Sequence, residues 1–179
     1  MPGPADGSAF FIAFVGLAVV FRLVTLAISI RNEAAMKAVG AVEHGAANSR
    51  AIALAHIGFY LAGLAEYLVR PAPFDWVSVT GLAIYAFGAV MLVVVIALLG
   101  RFWTVKLIIA RDHDLVTHPL FRAVRHPNYY LNILPELVGY AVTLQAWVTL
   151  VVGLAIYMVP LTVRIRQEER VMRGTFARY

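Results

Sequence analysis

The feature that most constrains the fold is an apolar run from Trp76 to Leu99 that contains no charged residue. An α-helix needs about 20 predominantly apolar residues to cross ~30 Å of hydrocarbon, so this run predicts a transmembrane helix. In water such a helix would be apolar on every side, with too little protein around it to bury it. The sequence therefore predicts an integral membrane protein and excludes a soluble domain.

Composition and two further apolar runs support a protein with several spans. Charged residues make up 14% of the chain, whereas soluble domains carry about a quarter. Ala9–Ile30 predicts a first span that contains Arg22, and Ala51–Val69 predicts a second that contains His56 and Glu66. The absence of cysteine excludes disulfides, thiolate zinc sites and a cysteine nucleophile.

The C-terminal part of the chain predicts a helical hairpin. Between Arg125 and Arg164 the only charged residue is Glu136, and this stretch is too long for one crossing. It fits two short helices that turn near Gln145. The predicted fold is therefore all-α and polytopic, with about five transmembrane helices of which the last two form the hairpin.

The distribution of charge predicts the topology. Of the 15 Lys and Arg residues, all except Arg22 and Arg70 fall on one side of a five-span arrangement. By the positive-inside rule the N-terminus is outside and the C-terminus is cytoplasmic. We assign the net charge of +5 to loops that lie against anionic lipid, not to nucleic-acid binding. Within one integrated domain, residues 1–99 form the first three spans and residues 100–179 form a catalytic region.

Two polar segments could carry chemistry on the cytoplasmic side. Arg125–Tyr129 enters the fourth span, where the free N–H groups of a helix N-terminus favour anions and His126 can titrate near neutral pH. Arg164 and Glu168 are four residues apart and share one helix face after the fifth span. Arginine offers a bidentate fork to a carboxylate, and glutamate accepts from hydroxyl or ammonium groups. Taken alone, the segments could equally be an interfacial anchor and a salt-bridged juxtamembrane helix.

A third polar segment, His113–Thr117 with Asp112 and His118, lies in the loop between spans three and four. Its spacing matches no helical zinc pattern, so no metal site is predicted. An ordinary interfacial loop is the alternative.

Four ionisable residues inside the predicted spans are functional hypotheses by default. They could equally pair with one another across helices, and Arg22 with Glu66 is one such pair that we considered. These residues are Arg22, His56, Glu66 and Glu136.

Taken in order, these segments resemble the isoprenylcysteine carboxyl methyltransferase family of membrane methyltransferases, most strongly over Lys106 to Glu169. The likeness consists of His113-Asp114-Leu115-Val116, an aromatic residue at Phe121, Arg125-His126-Pro127-Asn128-Tyr129, a helical hairpin, and Arg164 four residues before Glu168-Glu169. Arg31-Asn32-Glu33 and the run Gly40–Gly45 resemble a bacterial branch found beside type III polyketide synthases. Members of that branch are associated with O-methylation of alkylpyrones and phenolic lipids.

The resemblance implies methyl transfer from S-adenosylmethionine, with S-adenosylhomocysteine as product, to a lipophilic acceptor that enters from the bilayer. The cofactor pocket would lie between the cytoplasmic loop and the C-terminal helix, and no Gly-x-Gly-x-x-Gly motif is present. Arg164 and Glu168 would form the catalytic pair on the acceptor side. Phe121 stands where the family usually has tyrosine, and Pro119 where glycine is common. The implied cofactor contacts are His113, Asp114, Leu115, Val116, Phe121, His126, Pro127, Asn128 and Tyr129.

The same resemblance implies a bacterial inner-membrane protein surrounded by membrane lipid, with no nucleic-acid or protein partner. Prenylcysteine carboxyl groups and phospholipid amines are alternative acceptors within the class. A small transporter or assembly factor without catalytic activity is an alternative of another class, with Arg22, His56 and Glu66 lining a pathway. The inverted repeats usual in transporters are absent from the sequence. Cofactor binding discriminates between the two classes.

Overall fold

The computed structural model describes residues 4–109 and 118–175, and these residues are almost entirely helical. The predicted all-α polytopic architecture is confirmed. In chain order the elements are α1 (Pro4–Ala38), β1 (Val42–His44), α2 (Ala46–Val69), α3 (Trp76–Leu99), a 3₁₀ turn (Gly100–Phe102), β2 (Leu107–Ile109), α4 (Pro119–Ala123), a π-helical segment (Asn128–Ile133) that continues into α5 (Leu134–Thr143), and a second π-helical segment (Thr149–Gly153) that continues into α6 (Leu154–Thr175).

Within the described residues, four helices are long and apolar enough to cross a membrane. The fourth of the five predicted spans, 128–143, is helical but shorter. At 1.5 Å per residue it is about 24 Å long, less than the hydrocarbon thickness. It lies inside the bundle, with Leu137, Tyr140 and Ala141 fully buried. The four long spans are Ser8–Ala38, Ala46–Val69, Trp76–Phe102 and Thr149–Gly174.

The first helix is longer than the first predicted span. No glycine or proline interrupts the chain between Gly16 and Gly40, so the helix continues through Arg31–Glu33, beyond the predicted end of the first span at Ile30. The Asn32 amide donates to the carbonyl oxygens of Gly100 and Trp103, at 3.1 and 2.9 Å. The C-terminal end of the first span is thereby tied to the loop that follows the third.

Small residues let α3 and α5 pack closely side by side. A Cβ atom on Gly88 would lie 2.9 Å from the backbone nitrogen of Glu136, and one on Gly139 would collide with the backbone of Tyr85. Close backbone approach at small residues is typical of helices that associate in lipid. This packing holds Glu136 at a fixed depth in the bundle.

The predicted hairpin turn near Gln145 is confirmed. Gln145 takes a left-handed conformation, with φ of 52°, and its side-chain amide donates to the Pro73 carbonyl and to Asp75 Oδ1 at 3.1 and 3.0 Å. Asp75 also caps α3, because it accepts from the backbone N–H of Val77 at 2.9 Å. The turn of the hairpin is thus joined to the start of α3.

The loop after α1 forms a small antiparallel sheet with the loop after α3. Strand β1 pairs with β2, with Glu43 opposite Ile108. Lys106 Nζ reaches Glu33 Oε1 at 2.7 Å and Glu43 Oε2 at 3.5 Å, and Lys37 contacts both carboxylates too. The run Gly40–Gly45 therefore has a structural partner that its sequence did not reveal.

Candidate active site

The segment Arg125–Tyr129 folds as the start of a helix, as predicted. The His126 carbonyl accepts from the backbone N–H groups of Tyr129 and Tyr130, at 3.0 and 3.1 Å. Pro127 takes the first helical position, where its missing N–H is not needed. His126 and Pro127 are buried, and Asn128 is half-buried.

Glu168 on α6 joins this helix start to the C-terminal helix. The Tyr129 hydroxyl donates to Glu168 Oε2 at 2.5 Å, and His126 Nδ1 lies 3.3 Å from Glu168 Oε1. The other ring nitrogen of His126 lies 3.5 Å from Glu169 Oε1. Two motifs that the sequence separates by about forty residues therefore form one hydrogen-bonded cluster.

The two glutamates change the protonation of His126. Burial alone lowers the pKa of His126, but hydrogen bonds and the negative charges of Glu168 and Glu169 outweigh burial and raise that pKa above its ordinary value. Both ring nitrogens of the imidazolium are donors, which matches one carboxylate on each side. The raised pKa favours the protonated form of His126, in which neither ring nitrogen can accept a proton, whereas the ionised Glu168 carboxylate is an acceptor.

Arg164 lies one turn before Glu168 on the same face of α6, as the spacing predicts. Its side chain is only 2% exposed, and Nη2 donates to the Ser49 hydroxyl on α2 at 2.6 Å. The guanidinium is close enough to Tyr129 and Tyr157 to interact electrostatically with both hydroxyls. Its Nε is buried and has no hydrogen-bond partner among residues 4–109 and 118–175.

The remaining predicted site residues lie around this cluster or outside the described residues. Phe121 is half-buried on α4, the short helix that His118 caps by accepting from the Leu120 N–H at 3.2 Å. Glu169 also forms an ion pair with Arg173 one turn later on α6, with 3.3 Å between Oε2 and Nη2. The predicted cofactor contacts at His113, Asp114, Leu115 and Val116 lie outside the described residues.

A second polar cluster lies within the membrane region and centres on Glu136, whose side chain is fully buried. Arg22 donates to both carboxylate oxygens, from Nε at 2.5 Å and from Nη2. The Tyr60 hydroxyl donates to Oε1 at 2.5 Å, and His56 Nε2 lies 3.7 Å from the same oxygen. His56 Nδ1 in turn lies 3.4 Å from the Tyr157 hydroxyl.

The suggested pairing of Arg22 with Glu66 is wrong. Glu66 lies near the end of α2, where it accepts from the backbone N–H groups of Val148 and Thr149 at 2.9 and 2.7 Å. It therefore caps the start of the last span. Arg22 lies deeper in the bundle and meets Glu136 instead.

Asparagines at one-turn spacing connect the two clusters along the fourth helix. The Asn132 amide lies 3.2 Å from that of Asn128, and with its nitrogen turned inward it donates to Glu136 Oε2 at 3.1 Å. Residues four apart share one helix face, so the positions of Asn128, Asn132 and Glu136 were a usable signal that we missed. Ser49 and Tyr157 carried no comparable signal in the sequence.

Comparison with known proteins identifies the family. The model of the isoprenylcysteine carboxyl methyltransferase (ICMT) family matches residues 80–174, which include every described residue of the cluster around Glu168 and Arg164 except Ser49. The chain belongs to this family. It is consequently a membrane methyltransferase, and the resemblance seen in the sequence motifs is confirmed at the level of the family.

Two relatives extend the likeness to most of the chain. A Haemophilus influenzae protein is 45% identical over 155 residues, which cover 87% of this chain and 90% of the relative. YpbQ of Bacillus subtilis is 29% identical over 168 residues, which cover 91% of this chain and 96% of the relative. Both are described only as uncharacterized proteins. No solved structure matches the chain.

Proposed function

We propose that the protein transfers a methyl group from S-adenosylmethionine to an oxygen atom of a lipophilic acceptor, an alkylpyrone or phenolic lipid, at the cytoplasmic face of a bacterial inner membrane. The observation that carries the proposal is the contact of Glu168 with Tyr129 and His126. This contact joins Tyr129 and His126, which the family resemblance implies for cofactor binding, to Glu168, which it implies for the acceptor side. A transfer enzyme needs its two substrates side by side.

The donor set around this contact fits the cofactor. At the helix start Pro127 has no N–H and the Tyr129 N–H is bonded to the His126 carbonyl, so the backbone N–H of Asn128 would be the donor to a carboxylate. The ring of Tyr129 and the carboxylates of Glu168 and Glu169 suit a sulfonium and an ammonium group. The cofactor would supply an electrophilic methyl group for the acceptor oxygen, with the neutral sulfur of S-adenosylhomocysteine as the leaving group.

The chain's own residues act on the acceptor. Arg164 would hold an acceptor oxygen that is already anionic, such as an acidic enol or a carboxylate. For a phenolic hydroxyl, Glu168 would take the proton, because the raised pKa of His126 favours its protonated form, which cannot accept a proton. Burial of Arg164 and His126 keeps water away from the reacting atoms.

Calorimetric binding of S-adenosylhomocysteine to the protein in detergent tests the cofactor part of the proposal. We expect micromolar binding by the wild type and a loss of about tenfold or more in His126→Ala, since charge-assisted hydrogen bonds contribute about 1.5–3 kcal/mol. His44→Ala, on β1, is the matched control and should bind as the wild type does.

No binding by folded wild-type protein would refute the cofactor assignment and favour a transporter or assembly factor. The acceptor is tested next, by transfer of radiolabelled methyl to an alkylpyrone, an alkylresorcinol, a prenylcysteine and phosphatidylethanolamine. Labelling of only the last two would overturn the proposed acceptor class but leave the methyltransferase intact.

A further inference from the structure

The first turn of α2, Gly45–Ser49, packs against the helix that carries the proposed acceptor residues. This turn lies outside residues 80–174, which the family model matches. Gly45 has φ of 65°, in the left-handed region that favours glycine. A Cβ there would lie 2.5 Å from Oε1 of Gln167, so a side chain at residue 45 would force the Gln167 side chain of α6 to move.

Two side chains of this turn hold α6 directly. Asn48 Nδ2 donates to the Pro160 carbonyl at 3.0 Å, one turn before Arg164. The Ser49 hydroxyl accepts from Arg164 Nη2 at 2.6 Å and donates to the Gly45 carbonyl at 3.3 Å. Since Ser49 is itself only 6% exposed, this contact fixes one edge of a buried guanidinium.

Among residues 4–109 and 118–175, no carboxylate forms an ion pair with Arg164. Ser49 is neutral, and Arg164 Nε has no hydrogen-bond partner among the described residues. A buried charge is costly unless it is paired and hydrogen-bonded. The unsatisfied edge of the guanidinium therefore matches an anionic oxygen that comes from a ligand.

We propose that Ser49 is a positioning residue that fixes one edge of Arg164 so that its Nε binds an anionic oxygen of a bilayer amphiphile. The inference rests on the proposed function in one respect, since that function makes the amphiphile the methyl acceptor. It adds that the acceptor binds in its deprotonated form, as a carboxylate or enolate. It also assigns part of the site to the N-terminal half of the chain.

The test measures binding of dodecanoate and dodecan-1-ol to the protein in phosphatidylcholine nanodiscs by calorimetry at pH 8. The two probes share an alkyl chain and differ in charge. We expect the wild type to prefer dodecanoate by at least about tenfold, in keeping with one charge-assisted hydrogen bond. Ser49→Ala should reduce that preference to about threefold or less, whereas Ser49→Thr, which retains the hydroxyl, should preserve it.

Ser78→Ala is the matched control, because Ser78 is an equally buried serine at the opposite end of the bundle, near Gln145. The inference is overturned if the wild type shows no preference for dodecanoate, if Ser49→Ala keeps the preference, or if Ser78→Ala loses it to the same extent. The last result would indicate general loosening of the fold.

Binding of S-adenosylhomocysteine to the same samples separates this inference from the proposed function. Loss of the dodecanoate preference in Ser49→Ala with unchanged cofactor affinity supports a role confined to Arg164. If the wild type binds no S-adenosylhomocysteine, the proposed function fails. The probe preference would then still decide whether Ser49 and Arg164 form an anion site.

Discussion

The ion pair between Arg22 and Glu136 gives the sharpest test of how the bundle is held together. Glu136→Gln retains the shape of the side chain and removes its charge. The Arg22 side chain, which is 21% exposed, would then remain in the membrane region without its partner. The Tyr60 hydroxyl would donate to a neutral amide oxygen instead of a carboxylate.

The size of the effect follows from the burial of the two groups. Removal of one partner from a buried pair costs about 3–5 kcal/mol, because the other charge is left uncompensated. Partial exposure of Arg22 and hydrogen-bond partners in the unfolded, membrane-bound chain reduce this cost. We therefore expect Glu136→Gln to lower the free energy of unfolding by about 3 kcal/mol. Arg22→Met combined with Glu136→Gln should cost less than the sum of the two single changes by about 1.5 kcal/mol or more.

Equilibrium unfolding in mixed micelles with increasing dodecyl sulfate, followed by far-ultraviolet circular dichroism, measures these differences. Glu66→Gln is the control: that carboxylate accepts hydrogen bonds at a helix start, so we expect a loss of only about 1 kcal/mol. If the two single changes add within about 0.5 kcal/mol in the double variant, the charges do not stabilise each other and the reasoning is refuted.

Three further predictions concern the cluster around Glu168 and Arg164 and the packing of the helices. Because the pKa of folded His126 is raised, its contacts stabilise the fold fully below about pH 6.5, and that contribution is lost as the pH rises through the folded pKa. His126→Gln should therefore make the unfolding temperature depend less on pH. If the dependence on pH is unchanged, another titrating group causes it. Tyr129→Phe removes the hydroxyl that contacts Glu168 and should weaken S-adenosylhomocysteine binding about tenfold in calorimetry while the circular dichroism stays the same. Gly139→Ala should cost about 3 kcal/mol in detergent unfolding because its Cβ meets backbone, whereas Gly58→Ala, with no atom within 4 Å, should cost nothing measurable.

Patterns within one helix were readable from the sequence. The uncharged run Trp76–Leu99 matches α3 residue for residue, since length and apolarity alone determine a span. The turn at Gln145 followed from the length of the stretch between Arg125 and Arg164. Residues four apart share a helix face, which is why Arg164 and Glu168 reach the same site.

Contacts between helices were not readable, because the sequence does not give the rotation of one helix against another. Arg22 could be recognised as an intramembrane charge, but its partner Glu136 lies 114 residues away, and our guess of Glu66 was wrong. Nothing in the sequence distinguishes Ser49 from other serines, because its contact with Arg164 depends on how α2 packs against α6. The predicted first span ended at Ile30, where the charged residues Arg31 and Glu33 follow, whereas α1 continues to Ala38. Charged residues mark the end of an apolar stretch but do not end a helix.

The N-terminal spans supply the partners for the buried charges of the region that the family model matches. Glu136 and Arg164 both lie within residues 80–174, yet Arg22 on α1 neutralises the first and Ser49 on α2 orients the second. The Asn32 amide likewise donates to the carbonyls of Gly100 and Trp103, where the loop after α3 begins. Buried charges and loop carbonyls need specific partners to be stable in a membrane, so the chemistry of the matched region depends on the rest of the chain. The first two helices therefore contribute directly to both polar clusters.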